Sequence, residues 1–313
     1  MTTSHIKIGV LGCSSIARRA VIPAIKECKD FVLSGVSSRD ESKAQLYADE
    51  FDTNSYSYES LLNSDIDAIY VSLPVGLHYE WGRKVLEAGK HLLMEKTFTE
   101  TYEQAKEIFD LAARLNLSCM EALMYEFHPM QQQIDALLSV VGKIKCVEAN
   151  FGFPHFKDKD NIRYSNELGG GAILDCLIYP LSFIFRILGD NFIDYKSTIF
   201  HNEQIGIDER GYIQFEYDDV IANISYGFGH SYRNEVIIWG EESILKAKRA
   251  FSRPKDCTLP IEIWHNGQCE THKVENTDHF LKMLYSFSDI VSFKKIVDTD
   301  TLKRMSFIEG IKE

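Results

Sequence analysis

"GVLGCSSIARRAVIPA", residues 9–24, decides how the first third of the chain folds. The apolar run 6–11 enters it with the length and composition of a buried strand. Gly12 then supplies a tight turn, and the apolar spacing from Ala17 to Cys28 is that of a helix. A strand that turns on glycine directly into a helix aims helix-terminal amides beyond the strand tip, an arrangement suited to a pyrophosphate. Set against the pattern G-x-G-x-x-G, Gly12 takes the first position, Ser14 the second and Ala17 the third. Ser14 still permits close backbone approach and adds a hydroxyl for a phosphate oxygen. Ser15 and Ile16 open the helix beside it. The bland alternative is a plain strand-to-helix connection.

The next hundred residues favour the dinucleotide reading. Strands are expected at 32–37, 68–73, 91–94 and 118–121, with helices at 17–28, 42–51, 79–88 and 102–115. Alternation at that pace is the grammar of a parallel sheet covered on both faces. After about residue 122 the pattern changes. "IKCVEANFGF", "GYIQFEYDD" and "VIANISYGF" alternate apolar and polar residues, and Asp218-Asp219 and Asn266-Gly267 are hairpin-turn signals. The second region therefore reads as a mostly antiparallel sheet, with helices at 128–141 and 172–188 on one face. The aromatics Tyr212 and Tyr226 are expected on its other face.

Length and composition set bounds on function. The chain has 313 residues, enough for two domains, and its 45% hydrophobic and 26% charged residues are the balance of a globular protein. A formal charge of -12 argues against a nucleic-acid partner, and any anionic ligand must meet locally positive side chains. The most apolar helical stretch, 172–188, is broken by Asp175, Pro180 and Arg186, so no membrane span is expected. No signal-peptide pattern appears, and seven scattered cysteines without a CxxC pair read as reduced thiols in the cytoplasm. The ten histidines show no metal-ligand spacing, so no metal site is expected.

The end of the second strand addresses the cofactor. An acid there would hold the ribose hydroxyls of NAD, whereas arginine suits the 2'-phosphate of NADP. The sequence reads "VSSRDESKA", so Ser38 and Arg39 favour NADP(H), while Asp40 keeps NAD(H) possible.

The glycine turn, "SLPVGLHYEWGRKVLEAGKHLLMEKTF", "EALMYEFHP" and "GGGAILDCLIYPL" together resemble the Gfo/Idh/MocA oxidoreductases. The branch most similar contains sugar ketoreductases, glucose-fructose oxidoreductase and dihydrodiol or xylose dehydrogenases. The resemblance implies an α/β chain, with an N-terminal Rossmann dinucleotide-binding domain at 1–122. A C-terminal α+β domain comes next at 123–313, with a large, mostly antiparallel open sheet for substrate binding and oligomerisation. It also implies a catalytic lysine in a Glu-Lys-Pro segment. Glu95 and Lys96 match the first two positions, and Thr97 stands in place of the proline.

The same motifs supply further site residues. Leu73 and Pro74, with His78 beyond them, resemble the segment beneath nicotinamide and ribose, although His78 could equally cap the next helix. Asp175 and Tyr179 lie four residues apart and are expected on one helix face. Tyrosine at 179 matches the ketoreductase branch, where many relatives have histidine. Arg163, in the loop before Gly169, Gly170 and Gly171, resembles a substrate-loop segment and could meet a nucleotide-sugar phosphate, or could be a surface arginine.

The expected chemistry is hydride transfer between NADP(H) and a carbohydrate, first a keto group on a nucleotide-linked sugar. Tyr179 exchanges the proton, Lys96 holds the oxygen and lowers the phenol's pKa, and Asp175 orients a hydroxyl. A free sugar or cyclic diol is the second choice of substrate. A dinucleotide-binding regulator without turnover is the alternative from another class. A homodimer or homotetramer through the C-terminal sheet is expected.

Overall fold

In the computed structural model, which describes residues 5–293 and 299–312, the chain forms two compact units. The first takes Met1–Met124 with Phe280–Glu309, and the second Tyr125–His279 with Gly310–Glu313.

The first unit is built on six parallel strands: β1 (Ile6–Leu11), β2 (Phe31–Ser37), β3 (Ser55–Tyr56), β4 (Ala68–Val71), β5 (His91–Glu95) and β6 (Cys119–Ala122). Their spatial order is β3-β2-β1-β4-β5-β6. Ile69, Val71, Leu92, Leu93 and Met94 have no exposed surface, so these strands read as continuous apolar runs, as a sheet covered on both faces requires. The helices have local start and stop signals. Asp40 caps α2 (Glu41–Phe51), and Thr101 caps α5 (Tyr102–Leu115), which ends on left-handed Asn116. The first helix opens as a wide π turn, Ala17–Val21, before α1 (Ile22–Glu27). Strand β3 and the short α3 (Tyr58–Leu62) were not anticipated, because elements of two and five residues carry no readable period.

The whole of 123–313 was expected in the second domain. Two helices of that range instead belong, but for one terminal residue each, to the first unit: α8 (His279–Ser292) and α9 (Thr299–Gly310). Phe287 is fully buried and stacks on Phe31, the Ser288 hydroxyl donates to Asp30 at 2.7 Å, and Arg304 pairs with Glu121 at 2.8 Å.

The second unit holds an eight-stranded sheet. Its strands are β7 (Ile144–Phe153), β8 (Asp194–Asn202), β9 (Ile207–Glu216), β10 (Ile221–Phe228), β11 (Arg233–Gly240), β12 (Ile244–Lys248), β13 (Ile261–His265) and β14 (Gln268–His272). The order is β14-β13-β12-β11-β7-β10-β9-β8, antiparallel except for the central β7–β10 pair. Asn266 and Gly267, both with positive φ, close the β13–β14 hairpin. Helices α6 (Pro129–Val141) and α7 (Ile178–Leu188) pack on the face carrying Val147, Ala149, Ile224 and Val236. By composition Asn166–Leu188 is long and apolar enough to cross a membrane, but it is mostly buried within the protein, as a core helix is.

Tyr226 corrects the expected outer face. It pairs with Gly211, while its neighbour Ser225 pairs with Tyr212, so the two tyrosines point to opposite faces. Tyr212 is exposed, and Tyr226 is buried over Gly211, where a Cβ would lie 2.3 Å from the tyrosine hydroxyl.

His128 caps α6 by accepting the Met130 N–H at 3.1 Å, and its ring meets that of His279 edge-on. Burial lowers the His128 pKa to about 4 and that of His279 to about 3. In the unfolded chain both take up a proton near pH 6.5. Folding stability should therefore be full above about pH 6.5 and fall as the pH drops towards about 4. His128→Asn keeps a capping acceptor and should make that decline shallower. Denaturant titrations of both proteins between pH 7 and 4 measure the two slopes.

Candidate active site

Sheet register gathers the candidate cofactor residues on one edge. Ser37, Leu11, Val71, Met94 and Glu121 are aligned across β2, β1, β4, β5 and β6. One residue further along lie Ser38, Gly12, Ser72 and Glu95, all at carboxyl ends of parallel strands. Chain order reverses between β1 and β4, and at such a switch point doubly wound folds bind ligands.

Gly12 is required there. Its φ is +107°, and a Cβ would lie 2.5 Å from the Ser72 carbonyl oxygen. Ser14 is held from several sides. Its hydroxyl accepts the Ala17 N–H at 3.1 Å and hydrogen-bonds the Ser72 hydroxyl at 2.5 Å, while Tyr47 donates to its carbonyl at 3.2 Å. The hydroxyl expected to serve a phosphate thus also caps the helix. Ser15 is exposed and Ile16 half-buried at that helix start. Cys13 is buried, which pushes its thiol up to about 11 and keeps it protonated.

At the tip of β2, Ser38 is buried and accepts the Asp40 N–H at 3.2 Å, while Arg39 is exposed. Asp40 accepts from the Ser42 and Lys43 amides and the Ser42 hydroxyl, which hold its carboxyl below the usual range. All three bonds fall on Oδ1, which caps the helix.

Beyond β4, Leu73 and Pro74 are half-buried and lead into α4 (His78–Glu87). His78 has no exposed surface. Its Nε2 lies 2.8 Å from the Leu73 carbonyl, and its Nδ1 lies 3.0 and 3.2 Å from those of Thr97 and Phe98. Burial lowers its pKa against the pull of those carbonyls. The neutral ring carries a single N–H, so it donates either to the β4 tip or to the turn after β5 while lying buried between them.

That turn carries Lys96, half-buried, and the Lys96–Thr97 peptide is cis. Glu95 accepts from the Tyr70 hydroxyl and the Lys96 amide; burial pushes its carboxyl up while Tyr70 and Lys96 pull it down. Phe98, fully buried, stacks on Phe109 with centroids 4.7 Å apart and donates its N–H to Glu121 at 3.0 Å. Sequence reasoning missed Glu121 and Arg304. A lone acid in the apolar strand "CMEA" was the available signal, because a buried carboxylate needs partners.

The second unit builds its own constellation. Arg163 Nε donates to Asp175 at 2.6 Å, and the guanidinium lies 4.9 Å from the centre of the Phe156 ring. Burial works against the arginine's charge and Asp175 favours it, with a net upward shift. The glycine triplet wraps this turn: Gly171 N–H donates to the Arg163 carbonyl at 3.0 Å, and a Cβ on Gly170 would lie 2.6 Å from the same oxygen. Asp175 sits in a π turn, Ile173–Leu177, ahead of α7, a wider winding than the α-helix assumed when it was aligned with Tyr179. Asp208, also missed, accepts the Ile173 N–H at 2.5 Å and so anchors this turn. Tyr179 packs among Tyr125, Phe151 and Phe251, its ring 4.7 Å from Phe151, and is 5% exposed. Its carbonyl accepts from Ser182, whose hydroxyl meets that of Tyr125. Among the described residues, no three His, Cys, Asp or Glu side chains gather as metal ligands do.

Residues 6–123 match the oxidoreductase family with an NAD-binding Rossmann fold, GFO/IDH/MocA, and residues 132–246 match the GFO/IDH/MocA C-terminal domain. The chain is 34% identical to dTDP-3,4-didehydro-2,6-dideoxy-alpha-D-glucose 3-reductase of Saccharopolyspora spinosa, across 90% of this chain and 86% of that one. It is 29% identical to D-xylose 1-dehydrogenase (NADP(+)) 2 of Haloferax volcanii, across 97% and 92%. Its structure superposes with a TM-score of 0.95 on a 3-ketoreductase from Actinomadura kijaniata in complex with NADP and TDP-benzene, at 29% identity, covering 99% and 97% of the two chains. On this sequence match and fold, the chain belongs to the GFO/IDH/MocA oxidoreductase family.

Proposed function

We propose that this protein is a cytoplasmic NADP(H)-dependent ketoreductase acting on a keto group of a nucleotide-linked sugar. The observation that carries the reading is the placement of Lys96 just past the β5 tip, two strands from the Gly12 turn. At strand spacing that separation is about 10 Å, within reach of one extended dinucleotide along the sheet edge. The relationship to a dTDP-sugar 3-reductase supports the substrate class.

The residues present fit the cofactor. Gly12 brings the β1 tip close to β4, Arg39 is exposed where a 2'-phosphate is read, and Asp40, the competing acid, uses its Oδ1 as a helix cap. Bound NADPH supplies the hydride. The protein's part is the other half of the reduction. As the carbonyl carbon accepts the electron pair its oxygen becomes anionic, and the Lys96 ammonium stabilises that charge. The Tyr179 hydroxyl delivers the proton that completes the alcohol. Asp175 orients a sugar hydroxyl and holds Arg163 by its Nε edge, which presents a fixed guanidinium to a phosphate. Run in reverse on a free sugar, the same groups perform an oxidation, a second reading favoured by the relationship to a xylose dehydrogenase.

A panel of keto-sugar nucleotides and free sugars, followed by nicotinamide absorbance, tests the assignment. With the best substrate, Tyr179→Phe should lower turnover by about 10² or more and leave NADPH affinity nearly intact. A variant that turns over at the wild-type rate would remove Tyr179 from the chemistry. Lys96→Met should also lower turnover, because the developing anionic oxygen loses the cation that stabilises it.

Arg39→Ala should weaken NADPH binding far more than NADH binding. Titration of both dinucleotides into wild type and variant measures this, and equal losses for the two contradict it.

The oligomer forms through the outer face of the eight-stranded sheet. Register puts Trp239, Tyr212 and Phe200 on that face, exposed by 57%, 44% and 40%. Sedimentation at micromolar concentration should give at least a dimer mass, and Trp239→Glu should shift it towards monomer. A monomeric wild type overturns the assignment.

A further inference from the structure

We propose that Glu121, fixed by Arg304 and Thr301 of α9, is a positioning residue for Lys96; the inference rests on the reading of Lys96 as the group that holds the substrate oxygen. The Glu121 side chain is fully buried and both carboxylate oxygens are engaged. Oε1 accepts the Phe98 N–H at 3.0 Å, and Oε2 accepts from the Thr301 hydroxyl at 3.0 Å and from Arg304 Nη2 at 2.8 Å. Arg304 also donates to the Thr301 hydroxyl at 3.1 Å, and only 4% of its side chain is exposed.

Glu121 is aligned with Met94 on the neighbouring strand, so its carboxylate reaches across to the turn that Lys96 begins. Two groups grip that turn. Glu121 takes the Phe98 amide from one side, and His78 faces the Thr97 and Phe98 carbonyls from another. The Phe98 ring is locked on Phe109. The backbone after Lys96 is thereby fixed through donor, acceptors and side chain, and a shift of about 1 Å in a reacting group can cost roughly 10²-fold in rate.

Stability alone does not account for the ion pair. Replacing a buried pair with apolar residues of similar volume is often neutral or stabilising. What an apolar pair cannot do is accept the Phe98 N–H. The carboxylate therefore serves as an acceptor for the turn, and Arg304 is present to neutralise it.

Two double variants separate these roles, because both remove both charges. Glu121→Leu/Arg304→Met deletes the acceptor; Glu121→Gln/Arg304→Met keeps a side-chain carbonyl for Phe98. With the preferred keto-sugar nucleotide, the Leu/Met protein should lose about 10-fold or more in kcat and the Gln/Met protein less than about 3-fold, with NADPH Kd within about 2-fold in both. In a Lys96→Met background the Leu/Met change should cost no more than about 2-fold, since the residue it positions is gone. Equal losses in the two double variants, or the same factor in both backgrounds, would overturn the inference. Wild-type kcat in Lys96→Met alone would instead overturn the role of Lys96 itself. If the Leu/Met protein does not fold, Thr301→Val removes one hydrogen bond to Glu121 at nearly constant volume. It should lower kcat by about 2-fold in the native background only, and no loss there would overturn the inference.

Discussion

The approach of the β1 tip to the β4 tip constrains everything at the carboxyl edge of the first sheet. Gly12 meets the Ser72 carbonyl at a distance that no side chain allows, and the Ser14 and Ser72 hydroxyls hydrogen-bond across the same gap. The two strands are neighbours in space but lie on opposite sides of the reversal in strand order, so their outgoing connections leave in opposite directions. Ligands of doubly wound folds bind where such a divergence occurs. The Lys96 turn, one strand beyond β4, lies along the same edge because β5 pairs with β4 in register. A residue with a side chain in place of Gly12 would disturb the strand pairing and the helix start together.

Position along an edge is only as good as what holds the turns. Each turn at this edge is restrained through the backbone as well as through side chains: Ser14 by the Ala17 amide and Tyr47, the Lys96 turn by Glu121 and His78. The second unit repeats the strategy with different parts, using Asp208 on the Ile173 amide and the Arg163 carbonyl on the Gly171 amide. In both units a carboxylate, fully buried at Glu121 and half-buried at Asp208, receives a backbone N–H close to a proposed site residue. Such an acid is costly to bury alone. Arg304 offsets the cost for Glu121, and the Ile173 amide and the Lys312 charge ease it for Asp208, whose carboxyl burial otherwise pushes up.

How much of the fold the sequence disclosed depends on the range of the interactions involved. The alternation of apolar runs with helical spacing between residues 6 and 122 was legible because each element has its own cap or turn residue nearby, such as Asp40, Thr101 and Asn116. The Gly12 turn was legible for the same reason, whereas Lys96 was singled out by the resemblance of its segment to the family's Glu-Lys-Pro motif and not by a local signal. The destination of α8 was not, because Ser288 finds its partner 258 residues earlier at Asp30, and nothing in a local amphipathic pattern says which sheet it will cover. The faces of Tyr212 and Tyr226 depend on a pairing register set by the turn between β9 and β10, and a one-residue difference reverses a face. The roles of Glu121 and Asp208 depend on amides contributed by distant segments, so their residue types hinted at partners without naming them.

The charge balance gives the candidate site its character. A protein of net charge -12 repels an anionic nucleotide at long range, but at physiological ionic strength charges separated by more than about 8 Å are largely screened. Recognition is then decided by cations within contact distance, and the fold treats its candidate cations differently. Arg163 is pinned between Asp175 and the Phe156 ring, so its guanidinium is oriented before any ligand arrives. Arg39 is exposed just past a strand tip, beside an Asp40 whose Oδ1 is taken by helix amides. Lys96 is half-buried on a turn gripped from both sides, where a point charge is worth more than it would be in water. In the proposed reaction, orientation suits a phosphate that must be placed, exposure suits one that must be reached, and partial burial suits a charge that appears only as the carbonyl is reduced.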